Sequence, residues 1–69
     1  MELGEIVFRY EIGTIINENR TIEVVTNDLP SAENYYEYLL LKYAHTKNVI
    51  IFLFDYDKNT NIHYYDSNI

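Results

Sequence analysis

The feature that most constrains this chain is the run Val49-Ile50-Ile51-Phe52-Leu53-Phe54, six consecutive aliphatic or aromatic residues. Successive side chains of an extended segment point to opposite faces, so such a run is apolar on both. Val49, Ile51 and Leu53 fall on one side, and Ile50, Phe52 and Phe54 on the other. Six residues are far fewer than the about 20 that a membrane helix needs. A strand apolar on both faces belongs in the middle of a sheet, with cover on each side. The rest of the chain has to supply its neighbours.

Residues 5–16 read as a strand, with Ile6, Phe8, Tyr10 and Ile12 on one parity and Glu5, Val7, Arg9 and Glu11 on the other. Asn17-Glu18-Asn19 is a turn, because asparagine tolerates positive φ. Residues 20–26 form a second strand, with Ile22 and Val24 on one face and Thr21, Glu23 and Val25 on the other. The short connection makes the pair a hairpin. After Asn27-Asp28-Leu29-Pro30, Ser31 reads as a helix N-cap, with Glu33 in the first turn. The helix should run from Ala32 to about Thr46. Its main stripe is Ala32, Tyr35, Tyr36, Leu39, Leu40 and Tyr43, and a weaker one holds Asn34, Tyr38, Leu41 and His45. The third strand is 49–56, Asp57-Lys58-Asn59-Thr60 is a turn, and 61–66 is a fourth, more polar strand suited to an edge.

The order is ββαββ, in the α+β class, as a single small domain over 1–69. The expected architecture is a four-stranded, mainly antiparallel sheet with one helix on one face. The two most apolar strands, first and third, should be central, giving the order 2-1-3-4. The ubiquitin-like order 2-1-4-3 is the alternative. With the helix over the face bearing Tyr10, Val24, Phe52 and Phe54, together with Ile6, Phe8, Ile22, Ile62 and Tyr64, the opposite face shows Val7, Val25, Val49, Ile51, Leu53 and Tyr65. A central apolar patch with a charged rim is interface anatomy. Val7, Val25, Ile51 and Leu53 are therefore the residues expected to mediate self-association. A domain of 69 residues has reason to associate, since a core of this size contributes only roughly 3–5 kcal/mol.

Composition narrows the chemistry. There are no cysteines, which excludes disulfides, thiolate zinc sites and a thiol nucleophile. The only glycines are Gly4 and Gly13, so no Gly-rich phosphate loop exists. His45 and His63 sit on different elements, and neither Ser31 nor Ser67 has a supporting turn. No enzyme, cofactor or metal is expected. The window Asp55–Asp66 resembles an EF-hand calcium loop, with oxygen side chains at its first, third, fifth and twelfth positions. It has Thr60 where that loop needs glycine, and Asp66 where it has glutamate. A strand also precedes it, so a β-hairpin turn built from Asp and Asn is expected instead.

Eleven acidic residues against five Lys and Arg give a net charge of -6. That charge repels phosphate and steers toward basic partners, so no nucleic acid is expected. The N-terminus is acidic and lacks the apolar stretch of a signal peptide, which leads to the expectation of a cytoplasmic protein without membrane contact. Eight tyrosines supply large apolar surfaces with a polar tip. In charge and size the chain resembles phage-encoded inhibitors that mimic DNA. The resemblance implies a small, non-catalytic protein that blocks a basic surface of a host or defence protein. Glu5, Glu11 and Glu23 would supply the charge, and Tyr36, Tyr38 and Tyr65 the anchors. A homo-oligomeric accessory module, or an immunity or antitoxin protein, is the alternative.

Overall fold

The computed structural model describes residues 8–68. Strand β1 (Tyr10–Ile16) turns into β2 (Asn19–Thr26) through Asn17 and Glu18, both at positive φ. Two central residues at positive φ make a type I′ turn, whose twist matches that of the strands it joins. Helix α1 (Leu29–Lys42) follows, and then the hairpin of β3 (Val49–Asp55) and β4 (Thr60–Asp66). The sheet order is β2-β1-β3-β4, all neighbours antiparallel, with the two most apolar strands in the centre. This is the favoured 2-1-3-4 order, not the ubiquitin-like one.

The helix begins earlier than its sequence suggests. Asp28 is the N-cap, and its Oδ2 accepts from the backbone N–H of Ser31 at 3.0 Å. Pro30 sits in the first turn, where its missing N–H has no partner to lose. Asp28 and Ser31 thus exchange the expected roles, and Glu33 falls beyond the first turn. The stripe that packs on the sheet is as expected: Ala32, Tyr36 and Leu39 are buried, with Leu29, Tyr35, Leu40 and Tyr43 around them.

Beneath the helix, Tyr10 of β1 and Val24 of β2 lie where expected, but β3 and β4 show the reverse of the faces expected. Tyr10 pairs with Asp55, Ile12 with Leu53, Thr14 with Ile51 and Ile16 with Val49. The even residues of β1 therefore share a face with the odd residues of β3. Ile51 and Leu53, taken from the sequence as an exposed self-association patch, are 0% exposed under the helix. Val49 joins them, and Tyr65 and His63 lie on the same side through their pairing with Ile51 and Leu53. Phe52 and Phe54 face the other way. The physical reason is that β3 is apolar on both faces, so hydrophobic alternation cannot choose between registers one residue apart. Val7 and Glu5 lie outside the described residues.

Two β-bulges complete the rearrangement. One lies between Ile12 and Gly13 of β1, where Glu23 is the extra residue of β2. It moves Ile22 out from under the helix, opposite Gly13, while Val24 stays inside opposite Ile12. The other leaves Ile62 unpaired, between His63 opposite Leu53 and Asn61 opposite Phe54.

The far end of the β3–β4 hairpin is held by Asp55, which is buried. Its carboxylate accepts from Arg9 Nε at 3.1 Å and from the backbone N–H of Asp57 at 2.9 Å. These bonds, the guanidinium first, hold the Asp55 carboxyl below the usual carboxylate range, and Ser31 does the same for Asp28. A group whose folded pKa is depressed stabilises the fold above its unfolded pKa, and loses that contribution as pH falls through the folded value. Melting temperature should therefore be level above about pH 5 and drop steadily below about pH 4. Asp55→Asn should melt lower than the wild type at pH 7 and converge with it toward pH 2. Parallel melting curves across that range would show that Asp55 does not carry the acid sensitivity.

Candidate functional site

The helix covers one face of the sheet, and among the described residues no element packs over the other face. By strand pairing it carries Ile15 of β1, Ile22 and Val25 of β2, Ile50, Phe52 and Phe54 of β3, and Tyr64 of β4. Ile22 and Tyr64 are the most open of these, at 55% exposure each, and Val25 is exposed as well.

The centre of this face is rigid and internally satisfied. Gly13 leaves a gap that the Phe52 ring fills from the neighbouring strand: a Cβ at Gly13 would sit 2.6 Å from Phe52 Cζ and 2.6 Å from the Thr21 carbonyl oxygen. The Arg20 guanidinium lies 4.4 Å above the Phe52 ring centroid, a cation–π contact. The same guanidinium donates to Glu11 Oε2 at 2.6 Å, and the Tyr56 hydroxyl donates to Glu11 Oε1. The Tyr56 ring packs edge-on against Phe54 at 4.9 Å. The bond to Glu11, with desolvation behind it, pushes the Tyr56 phenol pKa up. Beside this network lies an open concavity of about 320 Å³, bounded by Phe52, Phe54, Arg20, Tyr56, Tyr64 and Asn61.

Of the residues proposed from sequence as an acidic partner surface, Glu11 and Glu23 are the carboxylates among the described residues, and both have internal partners. Glu11 is 3% exposed, and both carboxylate oxygens are engaged by Arg20 and Tyr56. Glu23 accepts from the hydroxyl of buried Thr14 at 3.3 Å. Tyr36 belongs to the core, where burial pushes its phenol pKa up, and its ring stacks on His63 at 5.1 Å. Tyr65 is exposed on the helix side of the edge strand, and Tyr38 is exposed on the outer helix. Glu5 lies outside the described residues. Of the self-association set, Val25 is the one among the described residues that lies on the uncovered face. The residues that sequence reasoning missed there are Ile22 and Tyr64, which it placed under the helix.

Of the groups that could do chemistry, Ser31, Ser67 and His63 have structural partners. Ser31 Oγ donates to Asp28, and Ser67 Oγ accepts from the Val49 N–H at 3.0 Å. His63 lies 3.3 Å from Glu33 at the rim of the helix. The Asp55–Asp66 window is the β3–β4 hairpin itself, with Asn59 at positive φ. The first oxygen ligand of a calcium loop would have to be Asp55, whose carboxylate already receives Arg9 and two loop N–H groups. Millimolar calcium should therefore raise neither binding heat nor melting temperature. A dissociation constant in the sensor range, about 10 µM or tighter, would contradict this.

No helix among the described residues is long and apolar enough to cross a membrane. Comparison of the chain with protein-family models, with curated proteins and with solved structures gave no match.

Proposed function

We propose that this protein is a small, non-catalytic protein-binding module that acts through the uncovered face of its sheet. The observation that carries this reading is the face itself: Ile22, Val25 and Tyr64 stand open around a centre fixed by Phe52, Arg20, Glu11 and Tyr56. Aromatic side chains and an arginine amid aliphatic neighbours are the composition of binding hot spots. A fixed centre lowers the ordering cost of association. A body of this size that presents such a surface alters a partner by occupying it. The role is that of an inhibitor, decoy or immunity protein.

The charge supports a basic target. Glu33 and Glu37 stand on the helix, Glu18 stands in the turn at the end of the sheet face beside Ile15 and Ile50, and the net charge is -6. Such charges speed the approach of a basic protein without contributing to the apolar contact. The test is retention of a partner by the tagged protein in extracts of the cell that makes it, or of its host. Tyr64→Glu should lose the partner, and Leu41→Glu on the outer helix should keep it. Equal retention by both variants would remove the sheet face from the reading.

A further inference from the structure

We propose that, when no target is bound, a second copy of the same chain covers the uncovered sheet face, giving a two-fold dimer with both helices outermost. The inference rests on reading that face as a contact surface and adds its occupant.

Charge is the first argument. Although the chain is strongly acidic, the face is close to neutral. Glu11 and Arg20 neutralise each other at its centre, and Asp66, opposite Ile50, stands at the margin. Among the other carboxylates, Glu18 belongs to the β1–β2 turn, and Glu37 and Glu33, the latter beside His63, belong to the helix. Two such faces meet without a clash of like charges at the centre. For a basic surface laid on the same face, Glu11 at the centre is already bonded through both oxygens, so the attraction comes from carboxylates around the rim.

Area is the second argument. Strands of seven or eight residues, at about 4.8 Å between strands and about 3.3 Å per residue, span a face of roughly 19 by 23 Å. Two faces bring together roughly 900 Å² of flat area, to which Phe52 and Glu11, each 3% exposed, add little, so the contact is smaller than the about 1,200–2,000 Å² of stable interfaces and suits a weak dimer. Sheets stack about 10 Å apart with side chains interdigitating. Tyr64, half exposed, borders the concavity floored by Phe52 and Phe54. Each copy thus offers a projecting ring and a recess. The expected dimer is one of micromolar affinity that a tighter target displaces.

Salt separates the two occupants. Copies that each carry a charge of -6 repel over distances beyond the interface, and salt screens that repulsion. Dimerisation should therefore tighten with salt, whereas capture of a basic target should weaken.

The test is sedimentation of the full chain from about 5 to about 500 µM, a span that brackets micromolar affinities, at low and high sodium chloride. Wild type should pass from monomer to dimer, with the midpoint at lower concentration in high salt. Ile22→Glu and Tyr64→Glu, on different strands, should each weaken the dimer by at least about tenfold while keeping the wild-type circular dichroism spectrum. Leu41→Glu should leave it unchanged. A wild type that stays monomeric throughout, or a dimer indifferent to both sheet variants, overturns the proposal. If that monomer still retains a target that Tyr64→Glu loses, the dimer alone is wrong and the face remains a contact surface. If it retains none, both readings fall.

Discussion

Leu53→Glu is expected to leave the chain largely unfolded. Leu53 is in the middle of the central strand, fully buried beneath the helix and packed in one cluster with Ile12, Tyr36 and Leu39. Truncating a buried leucine costs about 2–5 kcal/mol through lost contacts alone. A carboxylate placed there would be buried among apolar side chains, with only His63, already beside Glu33, across the strand pair, and adds several kcal/mol more. The sum exceeds the roughly 3–5 kcal/mol that a core of this size provides. Far-UV circular dichroism at 25 °C should show loss of helix and sheet, with no cooperative melt. Tyr64→Glu, on the other face of the sheet, should melt within a few degrees of the wild type. A folded Leu53→Glu that merely dissociates an oligomer would mean that Leu53 faces outward, and would overturn the arrangement of the two faces.

Gly13→Ala should be the most damaging single-methyl addition among the described residues. The new Cβ would meet the Phe52 ring on one side and the Thr21 backbone carbonyl on the other, both at 2.6 Å. The ring can shift, but the carbonyl belongs to a paired strand and cannot move without disturbing the β1–β2 ladder at its bulge. Overpacking of this kind costs about 1–3 kcal/mol, or about 4–8 °C of melting temperature per kcal/mol in a domain of this size. Displacement of the ring would also loosen Arg20 above it and, through Arg20, the bond to Glu11. Phe52→Leu in the Gly13→Ala background should recover part of the loss and leave the part due to the carbonyl. Thermal melts of the two single variants and the double variant measure that coupling. Fully additive effects would show that Phe52 does not lie over Gly13.

The element order, the sheet order and the core stripe of the helix were all legible in the amino-acid sequence. Each depends on a strong local pattern: alternation in β1, the run of six apolar residues in β3, and the helical spacing of Ala32, Tyr36 and Leu39. The face was not legible, for a related reason. Because β3 is apolar on both sides, its pattern fits two registers equally well, and the contacts that decide between them are not local in sequence. Phe52 fits the gap at Gly13, and Asp55, in phase with Leu53, meets Arg9 across the sheet. Gly13 in a strand was the available signal, since an interior glycine marks a bulge or a close approach by another group. The bulges then shifted Ile22 and left Ile62 unpaired, which strict alternation could not anticipate. The acidic surface failed on a different ground. Net charge counts carboxylates without saying which are already bonded, and Glu11 and Asp55 are.

The most direct test of which face works is a nuclear Overhauser spectrum of the isotope-labelled protein, read for the aromatic and methyl contacts of β3. The expected result is that the Ile51 and Leu53 methyls touch Leu39 and the Tyr36 ring, while the Phe52 ring touches Gly13 and the Arg20 side chain. Contacts from Phe52 and Phe54 to Leu39, with Ile51 and Leu53 free of the helix, would contradict it and return the contact surface to the opposite side of the sheet.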